Sequence, residues 1–374
     1  MSKVSLNRAF RKTAVSLACA FALGGVHASV FAEDGKLNVV ASFSILADMV
    51  ANVGGDDIVL STIVNRDADA HGFEPTPKDA RKLSDADLLI VNGLAFEAWL
   101  PRLAEASGFK GKQIAVSQGV QALTFGEQPD EGAAEPAHGA SHEHDQSHQA
   151  ASADEHGHSH AHVDSHDHAE SHQAGHEHDE HRGEAAHAHD HEHSHAHGSE
   201  DPHAWQNPAN AIIYVQNIAQ ALTEADPDNA ASYRSRAEAY VGEIRQLDAE
   251  IRQALKSIPE GDRTAVTSHD AFGYFAQAYG VRFYSAVGVS SQAEASARDV
   301  AGLIDQVRKE NIRAVFVENV SNPRLVEQIA RETGAKVGGT LYSDALAPEG
   351  QPADTYLGMM RWNADQILQA LKAD

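Results

Sequence analysis

One cysteine in 374 residues excludes a disulfide framework and a Cys-rich zinc ribbon. Basic residues are also scarce: 29 Lys and Arg stand against 54 Asp and Glu, a net charge of −25. A nucleic-acid binder needs basic surface for phosphates, so no nucleic-acid partner is expected. Long apolar runs are missing too. The run at residues 14–23 has half of the ~20 apolar residues that a membrane-spanning helix requires. What remains is a chain long enough for two lobes, each with its own core.

Histidine is what the chain has in excess. Of 24 histidines, 20 lie between His138 and His197. From Glu127 to Glu200 there are 18 acidic residues and a single base, Arg182, so this tract carries most of the net charge. Without an apolar period it has too little surface to bury against chain entropy, and residues 127–199 are expected to be disordered when metal-free. Histidines alternate with other residues at His156, His158, His160 and His162, and again at His187, His189, His191, His193, His195 and His197. That spacing offers many interchangeable chelates, each weaker than a preorganised site. A solvated acidic linker is the alternative reading.

Residues 1–32 have the form of a secretory signal. Lys3, Arg8, Arg11 and Lys12 precede the apolar run, and Val30-Phe31-Ala32 supplies a small-x-small cleavage site. Cleavage near Ala32 would leave an exported protein without cysteine. The residues around Cys19 make a poor lipid-attachment box.

The rest of the chain alternates strands and helices, which predicts parallel sheets with helical crossovers. Strands are expected at residues 36–42, 58–64, 88–91 and 113–116, with helices at 45–53, 77–84 and 95–106. After the tract, Asn207-Pro208 and Asp226-Pro227 each read as a helix start. The second opens a helix at 227–257 with one apolar stripe, long enough to join two lobes. A second alternation follows: strands at 265–268, 281–285, 314–318 and 336–338, and helices at 271–279, 297–310, 323–333 and 354–371. The expected organisation is a first lobe at 33–225 containing the insertion, a linking helix at 226–258 and a second lobe at 259–374.

Outside the signal and the tract, three histidines remain: His71, His203 and His269. Each falls at the edge of an element, in a loop after the second strand, just before a helix, and at the start of the helix after residues 265–268. Neutral imidazole is the commonest metal ligand, and three with a carboxylate suit Zn²⁺. Pattern alone leaves this reading and that of three separate surface histidines both open. Asp67, Asp69 and Glu74 read as loop or hydrogen-bonding acids around His71. Glu318 ends a strand facing the cleft, Asp270 is a candidate helix cap, and Trp205 and Phe73 are expected to pack beside the site.

Four motifs make the reading specific: His71-Gly72-Phe73-Glu74-Pro75, Asp201-Pro202-His203-Ala204-Trp205, His269-Asp270-Ala271-Phe272-Gly273-Tyr274-Phe275 and Leu341-Tyr342-Ser343-Asp344. In this order they resemble the zinc/manganese solute-binding proteins of ABC importers, over residues 36–373. The resemblance implies an α/β fold of two parallel-sheet lobes joined by a long rigid helix, with a metal site in the interlobe cleft. It implies His71, His203, His269 and Asp344 as ligands, Zn²⁺ as cargo, and a permease with its ATPase as partners of a monomeric, non-enzymatic carrier. The chain departs from the family pattern at Ala70, Gln206-Asn207 and Glu294-Ala295-Ser296. In the manganese branch glutamate commonly stands at the third ligand, so His269 favours zinc, since Mn²⁺ prefers oxygen. Manganese or another divalent metal, and a passive periplasmic zinc buffer or metallochaperone, are the alternatives. A zinc hydrolase is disfavoured because Asp344 would fill the position that a catalytic water needs.

Overall fold

The computed structural model describes residues 35–124, 200–288 and 295–372. The signal segment, the histidine tract and Glu294 lie outside them. The first sheet holds β1 (Leu37–Phe43), β2 (Ile58–Val64), β3 (Leu88–Val91) and β4 (Lys112–Ala115), all parallel, in the order β2-β1-β3-β4. The second holds β5 (Thr264–His269), β6 (Arg282–Val287), β7 (Ala314–Glu318) and β8 (Lys336–Leu341), parallel in the order β6-β5-β7-β8. The two sheets thus repeat one strand order. In each, the first strand in sequence is central, and its carboxyl end points to the region where a ligand of an open parallel sheet binds.

Helices α1 (Ser44–Gly54), α2 (Pro77–Ser84) and α3 (Leu100–Ser107) cross over the first sheet. After the tract come α4 (Pro208–Ala225) and α5 (Ala230–Leu255), then α6 (Gly273–Tyr279), α7 (Ala297–Lys309), α8 (Arg324–Thr333) and α9 (Tyr356–Lys372). The long helix is shorter than its sequence pattern implies. Pro227 opens a 3-10 turn (Pro227–Asn229), and the α-helix proper has 26 residues, about 39 Å at ~1.5 Å per residue. Its stripe of Tyr233, Tyr240, Ile244, Leu247, Ile251 and Leu255 is buried. It packs on α1 and α4 and also on α6 and α9, so one element braces both halves.

The cores are less separate than two independent lobes would have. One apolar cluster runs from β1 through α4 and α5 to Phe275, Phe316 and α9. Among the described residues, only the layer of α7 and α8 over the second sheet forms its own cluster.

Several element boundaries differ from expectation. Residues 95–99 are not helical: Leu94 and Ala95 have positive φ, and α3 starts beside Pro101, whose fixed φ suits a first helical turn. The last strand runs on to Leu341, with an irregular register between Val315 and Val317. His269 is the last residue of β5, paired with Val287, and does not begin a helix. The helix starts at Gly273 with Phe272 at its N-cap, so Asp270 is not the cap.

Candidate metal centre

His71, His203, His269 and Asp344 come together although they are separated by up to 273 positions in sequence. Each offers one ligand atom, and all four atoms lie within 4.8 Å of one another. His71 Nε2 is 3.2 Å from His203 Nε2. Asp344 Oδ2 lies 3.1 Å from His269 Nε2 and 3.9 Å from His71 Nε2, and its Oδ1 lies 3.3 Å from His203 Nε2. A tetrahedron with zinc–ligand bonds of ~2.0–2.2 Å has edges of about 3.3–3.6 Å, so these separations suit one ion. His203, His269 and Asp344 are fully buried and His71 nearly so.

The backbone fixes each group. The His71 loop is held by Trp99 Nε1 donating to Ala70 O at 2.8 Å and by the His71 amide donating to Asp69 Oδ1 at 2.8 Å. The same loop reaches the second half: the Asp67 amide donates to Leu346 O at 2.9 Å, and Asn319 Nδ2 to Asp67 Oδ1 at 3.1 Å. Next to His203, Pro202 O accepts from Asn92 Nδ2 at 2.9 Å. Asn92 sits in a turn whose amide, with that of Gly93, is gathered by the buried Glu97 carboxylate. Asp344 follows β8 by three residues. The preceding Ser343 O accepts from Trp205 Nε1 and Gln206 Nε2, each at 2.9 Å. Gln206, a departure from the family pattern, thus fastens the His203 segment to the Asp344 loop.

Outer carboxylates set the imidazoles. Asp201 Oδ1 is 2.7 Å from His203 Nδ1, and Glu318 Oε2 is 2.5 Å from His269 Nδ1. Glu318 is itself held by the amides of Ser268 and His269 on its other oxygen, at 2.7 and 3.0 Å. A carboxylate accepting from Nδ1–H leaves Nε2 as a lone pair. The lone pairs of His203 and His269 then converge on a carboxylate that is also an acceptor, an arrangement that calls for a cation. Burial opposes protonation of His269, but Glu318 and Asp344 outweigh it and raise its pKa well above the ordinary imidazole value. Burial likewise pushes Asp344 up, and the histidines, His269 foremost, overcome it and hold the carboxyl below the usual range.

All four sequence-derived residues meet here; the ten tract histidines lie outside the described residues. Glu318, read from sequence only as a possible neighbour, supports His269 directly. Its signal was an acid closing an otherwise apolar strand, Ala314–Glu318. Phe96 carried no signal, yet its ring meets His71 at 4.7 Å and His203 at 6.1 Å. Trp205 packs on His203 at 5.4 Å as expected, whereas Phe73 meets Trp99 at 5.2 Å, one layer out.

Comparison with known proteins agrees with this architecture. Residues 39–370 match the family described as zinc-uptake complex component A, periplasmic (ZnuA). The metal ABC transporter substrate-binding lipoprotein SsaB of Streptococcus sanguinis is 30% identical over 91% of this chain and 90% of its own length. The manganese ABC transporter substrate-binding lipoprotein scaA of Streptococcus gordonii is 30% identical over 92% and 91%. Among solved structures, the periplasmic zinc-binding protein TroA of Treponema pallidum superposes with a TM-score of 0.69 at 25% identity, covering 91% of this chain and all of its own. This chain therefore belongs to the ZnuA family, as an extracytoplasmic, non-enzymatic substrate-binding component of an ABC importer for divalent metal.

Proposed function

We propose that the metal is zinc, bound in the periplasm by His71, His203, His269 and Asp344 and delivered to the importer's permease. The observation that carries this reading is the donor set: three imidazole nitrogens and one carboxylate converging on one point. Zinc takes such a shell readily, whereas harder manganese favours more oxygen. On this reading the mature protein is a monomer that starts near residue 33, with units at 33–225 and 259–374 and the linking segment 226–258 between them. A second reading, manganese, is favoured by the similarity to a protein named as a manganese binder. Nitrogen and oxygen sites hold Zn²⁺ above Mn²⁺ by intrinsic preference, so affinity alone does not separate the two. Growth does. Cells lacking the gene are expected to fail under zinc chelation and to recover with added zinc. Recovery with manganese alone would establish the second reading.

Glu318 is part of the proposal as the group that holds His269. Glu318→Gln is expected to weaken zinc binding about 10- to 100-fold, the usual contribution of a ligand's hydrogen-bonding partner. A chelator competition measures it, and an unchanged affinity would remove Glu318 from the assignment.

The histidine tract is proposed as a scavenger that loads the cleft when zinc is scarce. It rejoins the described chain at Glu200, three residues before His203. Deleting residues 127–199 is expected to lower zinc stoichiometry while one tight site remains. The lost weak sites are expected to fade between about pH 7 and 5, as imidazoles of pKa ~6.5 take up protons. Titrating both forms with zinc at those pH values checks this, and loss of the tight site with the fold intact would mean that the tract supplies a ligand.

A further inference from the structure

Both ends of the histidine tract leave the described chain beside the metal centre. Thr124 and Glu200 form an isolated antiparallel bridge, and the Asp201 amide donates to Leu123 O at 2.7 Å. So short a pairing has little stability of its own. A third group closes it. The Tyr274 hydroxyl accepts from the Leu123 amide at 3.1 Å and donates to Asp201 O at 2.8 Å. One buried hydroxyl thereby joins the outgoing and returning strands of this stem.

Tyr274 comes from the other half of the molecule. It lies on α6, five residues after His269, and is fully buried. The neighbouring Gly273 approaches the same target: a Cβ there would fall 2.7 Å from Asp201 Oδ2. Asp201 is therefore held through its carbonyl by Tyr274 and confined through its carboxylate by the start of α6. Its remaining oxygen, Oδ1, accepts from the His203 amide at 2.9 Å and faces His203 Nδ1 at 2.7 Å.

We infer that Tyr274 is a positioning residue for the metal centre: its hydroxyl holds the stem so that the Asp201 carboxylate keeps the His203 Nε2 lone pair aimed at the ion. It does not touch the ion. It acts through Asp201 on His203. The inference rests on His203 being a ligand, as proposed above.

The test compares the full chain with Tyr274→Phe, Asp201→Ala, the double variant and His203→Ala. Tyr274→Phe keeps the ring and removes the hydroxyl. It is expected to speed chelator-driven zinc dissociation by up to about tenfold, the low end for an outer partner of a ligand. In Asp201→Ala the same change is expected to add nothing, because its route to His203 is gone, whereas two independent structural losses would add. In metal-free protein, nitrogen-15 NMR of the imidazoles is expected to show His203 as the Nδ1–H tautomer, and a mixture in Tyr274→Phe. Gly273→Ala, which displaces the carboxylate from the other side, should reproduce both effects and carries the test if Tyr274→Phe does not fold. Additive effects in the cycle, or an unchanged tautomer and dissociation rate in Tyr274→Phe, would overturn the inference. Retention of tight zinc by His203→Ala in protein that also lacks residues 127–199, where the tract cannot mask the loss, would instead overturn the ligand assignment, and the tautomer measurement would still decide the role of Tyr274.

Discussion

Replacing His203 by alanine, in protein already lacking residues 127–199, is expected to lower zinc affinity by more than about hundredfold. That bound follows because a ligand contributes more than its outer partner, which is worth 10- to 100-fold. His203 is enclosed on several sides: Asp201 behind it, His71 and Asp344 beside it, and Phe96 and Trp205 against its ring. Its loss removes one nitrogen and leaves Asp344 Oδ1 without its facing imidazole. The fold should survive, because the Asn92–Pro202 bond and the Trp205 and Gln206 bonds to Ser343 involve other residues. The tract must be absent in both proteins, since its histidines would otherwise mask the loss. A competition titration against the tract-deleted parent, with circular dichroism as the fold check, measures it. Equal affinity would show that His203 is not a ligand.

The four proposed ligands were legible in sequence in two ways: His71, His203 and His269 are the only histidines outside the signal and the tract, and Asp344 stands in a motif of a recognisable family. Parallel-sheet topology then brings their positions together. What surrounds them was less legible, for physical reasons. The support of His269 by Glu318 depends on β7 lying beside β5, a pairing between strands 45 residues apart at their nearest ends. Phe96 reaches the centre only because Gly93, Leu94 and Ala95 turn through positive φ, held by Glu97. Apolar periodicity alone made that stretch look helical. The interwoven core was hidden for the same reason: the stripe on α5 shows that a face is buried, but not that α1, α4, α6 and α9 share it.

The remaining large effect is thermal. At zinc a thousandfold above its Kd, native-state binding adds about 4.1 kcal/mol, which for a chain of this size corresponds to a rise in Tm of roughly 5–8 °C. On the proposed assignment the ion would join His71 and His203 on one half to His269 and Asp344 on the other, so the gain should appear in one cooperative transition. Its pH dependence follows from the proton that zinc replaces. The raised pKa of metal-free His269 contributes stability that is fully present below the unfolded imidazole value of ~6.5. That contribution is lost as pH climbs through the higher folded value. Metal-free protein should therefore weaken above about pH 6.5, while zinc meets less competition from the proton. Asp344, with its pKa depressed, contributes above its ordinary value of 3.8 and loses that contribution only in acid, so it does not distort the neutral range. The Tm increment from a fixed excess of zinc should grow from pH 6 to 9 by these signs, and calorimetry in buffers of different ionisation enthalpy should find about one proton released per zinc at neutral pH. An increment that shrinks as pH rises, or binding without proton release, would mean that no proton lies between His269 and its two carboxylates in the metal-free protein.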